Sequence, residues 1–273
     1  MKFELTAEQS GFAKSLDDLL SRADTAAVNR AWAAGDHEPG LKLWSRLADL
    51  GVTVLATEAT PVEVCLAFEA IGRHAVPGPW IESAAYLPLA LPSVDLSESR
   101  ATVAVPPHVP FAVDADVADP YVVVDGALHT ATAGDRTESV DPTLRLFTVT
   151  PGTVVEPVAP VVEPVETLDA AFDLAVLATA AELLGAGERV LADSVAYVKQ
   201  RTQFGRAIGS YQAIKHQLAN VRIALDFARP LVFGAALDPT PRPVSAAKSQ
   251  SAEAANLAAR VGLQRHFAIG CTE

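Results

Sequence analysis

Two long helical patterns meet at one corner, and that corner constrains the chain more than anything else in it. From Thr167 to Arg201, Phe172, Val176, Ala180, Leu183, Leu184, Val190, Leu191, Val195 and Val198 make a broad apolar stripe at helical spacing. Thr167 or Asp169 is the expected cap. Gly185 and Gly187 interrupt the stripe, each at about 1 kcal/mol against alanine; they suit a close helix–helix approach or a short break. A second pattern runs from Gln212 to Ala236, where Pro230 is expected to kink or end it. Between the two lies Arg201-Thr-Gln-Phe-Gly-Arg-Ala-Ile-Gly-Ser-Tyr-Gln212, with Gly205 and Gly209 available for a turn. An arginine fork suited to a diphosphate (Arg201), two amides (Gln203, Gln212) and an aromatic ring (Phe204) thus share one helix–loop–helix corner. On chemistry alone the plainer reading, a helix hairpin with a capping arginine, is preferred.

The rest of the chain divides by period. Thr6-Ala-Glu-Gln9 is a capping box leading into Phe12, Leu16, Leu19 and Leu20. A second helix holds Val28, Ala31 and Trp32 and stops before Gly40. A third runs from about Leu41 to Leu50, with Gly51 as its left-handed cap. Val62 to Gly72 is another, broken by Pro77-Gly-Pro79, and Trp80 to Leu91 follows. Short strands are expected at 101–105, 121–124, 127–131 and 144–149, with turns at Asp125-Gly126 and Asp141-Pro-Thr143. Pro151 to Pro164 reads as extended strand or linker. After the corner, Asp238-Pro-Thr-Pro-Arg-Pro243 is a rigid break, and Ala246 to about Phe267 is a last helix. The expected division is a helical part (1–98), a small β part (99–166) and a second helical part (167–273).

A formal charge of −12 argues against nucleic acid and against anionic membranes. Cys65 and Cys271, far apart, give neither a metal signature nor a disulfide framework, so a reducing cytoplasm is the expected compartment. Met1-Lys-Phe-Glu-Leu5 has no apolar signal core, and no apolar run of membrane-spanning length is read.

Arg-x-Gln-Phe-Gly-x-x-Ile-x-x-x-Gln, followed by Leu218-Ala219, resembles the C-terminal motif of the acyl-CoA dehydrogenase family. Weaker matches recur in order. Leu5-Thr-Ala-Glu-Gln9, Leu50-Gly51-Val52 and Glu69-Ala-Ile-Gly-Arg73 are similar to family segments, as are Gln264, His266, Gly270 and Thr272 at the end. The resemblance implies a mostly α fold: an N-terminal helical domain, a small β domain and a C-terminal helical bundle. It further implies that the motif reaches across an interface to the FAD of a neighbouring subunit. Arg201 would then meet the diphosphate, Gln203, Phe204 and Gln212 would line the adenosine half, and Gln264 would approach from the chain's end. Gln264 is equally a solvated helix end on its own chemistry. Phe267 and Ala268 stand where the family has glycines.

Family features are also missing. The Gly-Gly-x-Gly loop is replaced by Ala56-Thr-Glu-Ala-Thr-Pro61. Val105-Pro-Pro-His-Val-Pro110 and His129-Thr-Ala-Thr132 stand where typical members hold their own flavin ring, in a β part dozens of residues shorter. The family's catalytic glutamate lies either past Glu273 or at a place that falls on Ala175. Asp173, Glu182, Glu188, Glu253 and Glu273 read as solvated helix faces, and His216 and His266 as structural or solvated. No catalytic triad, metal spacing or phosphate loop can be assembled. The resemblance therefore implies a subunit that supplies no catalytic residue. It would complete the FAD site of a catalytic acyl-CoA dehydrogenase partner, as in bacterial α2β2 heterotetramers that act on steroid side-chain acyl-CoA thioesters. A complete homo-oligomeric enzyme with its base beyond residue 273, and a non-catalytic scaffold, are the alternatives.

Overall fold

In the computed structural model, which describes residues 4–92, 96, 99–155 and 164–266, Thr6 opens the first helix as its sequence predicts. Its hydroxyl accepts from the Gln9 N–H (3.1 Å), and the Gln9 side chain accepts from the Thr6 N–H (3.0 Å). Helix α1 (Ala7–Ser21) buries Leu16 and Leu20. Helices α2 (Thr25–Ala33) and α3 (Glu38–Asp49) follow. Gly40, expected as a stop, lies inside α3: a Cβ there would stand 2.4 Å from Trp32 Cε3, so the glycine is the notch that seats the indole. Gly51 takes the expected left-handed conformation, with φ +82°. A 3-10 turn (Val52–Val54) and α4 (Leu55–Glu58) lead to α5 (Pro61–His74), opened by a second capping box, Thr60 with Glu63. After Pro77-Gly-Pro79, Trp80 stacks on Trp44 with centroids 3.7 Å apart. A π-helical turn (Glu82–Tyr86) then runs into α6 (Leu87–Ala90).

Five strands form one sheet: β1 (Ala101–Ala104), β2 (Ala112–Val113), β3 (Asp119–Val124), β4 (Ala127–Thr137) and β5 (Leu146–Val154), ordered β1-β3-β4-β5-β2. Only β1 and β3 pair in parallel. The β3–β4 turn is the one expected, with φ +49° at Asp125 and +77° at Gly126, the two left-handed residues of a type I′ hairpin. Strand β2 was not expected; two residues carry no periodicity. It pairs with β5 beside Arg145, a residue only 2% exposed. Arg145 Nε donates to Asp114 Oδ1 (2.8 Å) and Nη1 to Asp116 Oδ2 (2.7 Å). The guanidinium also meets His37 Nε2 and lies over the Trp32 ring, 4.9 Å from its centroid. One cation therefore ties the sheet to α2 and to the start of α3. Burial pushes Asp114 up to about 6, outweighing the pull of Arg145. Burial and the same arginine hold His37 below its ordinary range, so that its ring faces the guanidinium as a neutral acceptor.

Helix α7 (Pro164–Gln200) starts before Thr167 and Asp169, which lie inside it and do not cap it; a proline is tolerated in a first helical turn. Helix α8 (Gln212–Leu237) runs through Pro230 rather than ending there. Helix α9 (Pro241–His266) begins five residues earlier than Ala246, because Pro241 and Pro243 occupy the first turn, where no N–H is required. Gly72 of α5 and Gly185 of α7 mark a backbone-on-backbone crossing. A Cβ at 185 would stand 1.9 Å from the Glu69 carbonyl oxygen, and one at 72 would stand 2.0 Å from that of Glu182. Helix α7 is unbroken, so close approach, not a break, is what the glycines serve. Within α7 (Glu166–Gln200), one window of 18 residues is apolar and long enough to cross a bilayer by composition, with mean hydropathy 1.5. No such run was expected, because its charges are spaced out among alanines. It is a core helix, packed against α5, α8 and α9, and more than half of that window is buried. Leu16, Leu47, Phe68, Leu177, Leu184, Leu225 and Ala258 belong to one apolar cluster that joins both helical parts.

Candidate functional site

The corner is a small hairpin. Thr202–Gln203 (β6) pairs with Arg206–Ala207 (β7), and the Ile208 N–H donates to the Arg201 carbonyl at 2.8 Å to close it. The turn residues are Phe204, φ +53°, and Gly205, φ +77°. Glycine is at home there; phenylalanine is not, and the left-handed conformation costs an L-residue about 1–2 kcal/mol. The Phe204 ring is 90% exposed, so its packing within the chain does not offset that strain. Arg201, Gln203 and Gln212 are exposed too, and among the described residues no hydrogen bond or ion pair engages their side chains. Gln212 is the first residue of α8, whose N-terminus has no side-chain cap. Arg206, which the sequence reading passed over, stacks its guanidinium on Tyr211, 4.0 Å from the ring centroid. An arginine directly after the turn glycine was the available signal.

The last turn of α9 reaches the same end of the bundle. His266 packs on Tyr197 of α7, with centroids 4.4 Å apart, and Arg265 Nη2 donates to Gln217 Oε1 of α8. Arg265 also donates to Gln264 Oε1 (3.0 Å), which leaves Gln264 exposed beside the hairpin end but not wholly free. All five residues singled out from the sequence thus lie at one end of α7–α9. Phe267, Ala268, Gly270, Cys271, Thr272 and Glu273 lie outside the described residues.

At the other place of interest, Ala175 is 8% exposed and packs with Tyr86, Leu87 and Leu91. It carries no group that could take a proton. The acids read as solvated divide. Glu253 is exposed, whereas Asp173 is half-buried and raised, first by burial and then by Asp169. Glu188 accepts from both Arg222 Nη atoms at 2.7 and 2.6 Å. Burial pushes its carboxyl up, but the Arg222 hydrogen bond, with the charges of Arg222, Arg229 and Arg73, holds it below the ordinary range. Glu182 is half-buried with no partner among the described residues, and burial pushes it up to about 7. A helical wheel could not show this, because the covering surface comes from α5, whose Gly72 lies against the Glu182 backbone.

The raised Glu182 pKa has a sign that can be measured. The folded state holds this proton more tightly than the unfolded state, so stability is highest below the unfolded pKa and falls as pH rises through about 7. Glu182→Gln is expected to leave the melting temperature unchanged near pH ~4 and to stabilise by about 1–3 kcal/mol above pH ~8. Thermal melts across that range check it; a gain of equal size at both ends would contradict it.

Comparison with known proteins agrees with this architecture. Residues 166–273 match the family model described as acyl-CoA dehydrogenase, C-terminal domain. The chain is 30% identical to acyl-CoA dehydrogenase IpdE2 of Mycobacterium tuberculosis over 97% of its own length and 87% of the relative's. Among solved structures it superposes on the ChsE4-ChsE5 complex from Mycobacterium tuberculosis with TM-score 0.75 and 20% identity, covering 100% of this chain and 90% of that one. A Tcur3481-Tcur3483 steroid ACAD variant gives TM-score 0.77 and 21% identity, covering 96% and 88%. A mostly helical fold with a small sheet and a C-terminal bundle, and a relative aligned along nearly the whole chain, lead to one conclusion: this chain belongs to the acyl-CoA dehydrogenase family.

Proposed function

We propose that this chain is the subunit of a heteromeric, FAD-dependent acyl-CoA dehydrogenase that completes the partner's FAD site and supplies no catalytic base. The observation that carries the reading is the hairpin: an exposed phenylalanine held in left-handed backbone, flanked by an arginine and two amides without partners among the described residues. Strain and exposure of this kind cost the chain stability alone and are offset by contact with something else. The residues fit a dinucleotide. Arg201 offers a planar donor fork and the uncapped start of α8 offers N–H groups, both suited to a diphosphate. Gln203, Gln212 and the Phe204 face suit the adenosine half, with Gln264 alongside. When bound, FAD supplies the acceptor for the hydride lost by the acyl β-carbon. The α-proton would go to a carboxylate of the partner, since Ala175 cannot accept it.

An α2β2 assembly acting on a bulky, steroid-derived acyl-CoA is the form we favour. One solved neighbour is a complex of ChsE4 with ChsE5 and another is described as a steroid ACAD. In this reading 1–98, 99–166 and 167–273 are the three family domains, the middle one reduced. The test is flavin content. In the complex purified with its catalytic partner, Arg201→Ala is expected to weaken FAD retention by about tenfold or more, the loss of a charge-assisted hydrogen-bond pair. Arg201→Lys should recover part of it. Full FAD occupancy in the alanine variant would refute the assignment. A stoichiometric flavin spectrum from this chain purified alone would replace it with a complete, self-sufficient enzyme.

A further inference from the structure

All 33 acidic residues lie outside residues 194–225, a stretch that holds five basic ones. In a chain of net charge −12 that is a segregation of charge, and the fold concentrates it. The stretch is the last two turns of α7, the hairpin and the first half of α8. Residues 254–266 of α9 end beside it and add Arg260 and Arg265, again with no acid. Lys199, Arg201, Arg206, Lys215 and Arg260 are exposed, and among the described residues none of them has an ion-pair partner. The acids that bound the stretch are already taken, Asp193 by Arg189 (2.7 Å) and Asp226 by Arg222 (2.8 Å). Arg265, 8% exposed, meets only the amide oxygens of Gln217 and Gln264.

Helix dipoles account for part of this. Lys199 and Arg265 stand in the last turns of α7 and α9, where a cation is favourable. Lys215 is the fourth residue of α8, where a cation is unfavourable, and that turn holds no acid. A diphosphate accounts for another part, through Arg201 and the start of α8. Arg206, Lys215 and Arg260 are left unanswered. Apolar side chains stand among these cations: Phe204 is 90% exposed, and Leu263, one turn from Arg260, is 50% exposed. Apolar anchors within a charged rim suit a protein surface, whereas a small polyanion would leave Leu263 in water. A second copy of this chain presenting the same end would set cations against cations.

We propose that this end of α7–α9 is an electrostatic docking surface for an acidic face of the unlike subunit. The inference rests on the heteromeric reading above and adds the chemistry of the partner's side: carboxylates around its flavin site that steer the two chains together.

The two subunits are expressed together, separated, and their reassociation is followed by biolayer interferometry. Raising NaCl from about 50 mM to about 500 mM should slow association about tenfold or more and leave dissociation nearly unchanged. Lys199→Glu, Lys215→Glu and Arg260→Glu combined should slow association at low salt by about tenfold and flatten its salt dependence. Lys215→Glu alone gives α8 the acid its first turn lacks, so it should melt no lower than the wild type yet still associate about threefold more slowly. Lys248→Glu, the same change near the far end of α9, should alter the rate less than about twofold. FAD content of the assembled triple variant should match the wild type, since Arg201 is kept. Salt-independent association, or a triple variant that associates as fast as the wild type, would overturn this proposal and leave the flavin reading standing. Loss of FAD from the triple variant with association unchanged would overturn it by returning these cations to the flavin site. So would salt-sensitive self-association of the chain alone, or binding of a DNA duplex of about 20 base pairs near 0.15 M salt. If no unlike subunit copurifies, the heteromer and this inference fall together.

Discussion

Replacing Arg145 with Met is expected to cost about 3–5 kcal/mol near neutral pH, because it leaves Asp114 buried with its charge uncompensated. Asp114 is 1% exposed and already sits at about 6 with the arginine in place, so little water reaches it. Asp116 is over a third exposed and can turn to solvent. The loss should shrink at pH ~5, where an unpaired Asp114 takes up a proton instead of holding a charge. Arg145→Met with Asp114→Asn should recover much of the stability, since both charges leave together. Urea denaturation of the two variants at both pH values decides the matter. A double variant as weak as the single one would show that the arginine acts through its stacking on Trp32.

The second large effect is expected at the α5–α7 crossing. Gly185→Ala places a methyl group 1.9 Å from a backbone oxygen, which cannot rotate away, so the helices have to separate. A cost of about 3 kcal/mol or more is expected, the upper end of overpacking. Gly72→Ala should act alike, and the double variant should cost less than the sum, because helices pushed apart by one methyl group have room for the second. Strict additivity in thermal melts would mean that the two contacts relax independently. Glu69, which accepts from Arg73 and Arg229 beside this crossing, would move with α5.

What could be read beforehand was whatever depends on neighbours in sequence. The Thr6–Gln9 box, Gly51 and the Asp125-Gly126 turn are local devices, and each is found where its residues stand. The features that escaped depend on distant partners. Gly40 looks like a helix stop until Trp32 is placed on it, and β2 exists through Arg145. Glu182 looks solvated until α5 is packed across α7. The motif at residues 201–212 was legible as chemistry, but its hairpin was not, because a phenylalanine contradicts the turn it occupies. That local contradiction is itself informative, since sequences break their own rules mostly where something other than folding is being served.

The tryptophans have a practical consequence. All three, Trp32, Trp44 and Trp80, are buried in the first 80 residues, two of them as a stacked pair. Intrinsic fluorescence and the near-ultraviolet dichroism of the pair are therefore optical reporters of one end of the molecule. Loosening around Arg145 will register strongly, whereas fraying of the hairpin or a subunit docking there will pass almost unseen. A tryptophan in place of Phe204 would give the silent end a voice of its own.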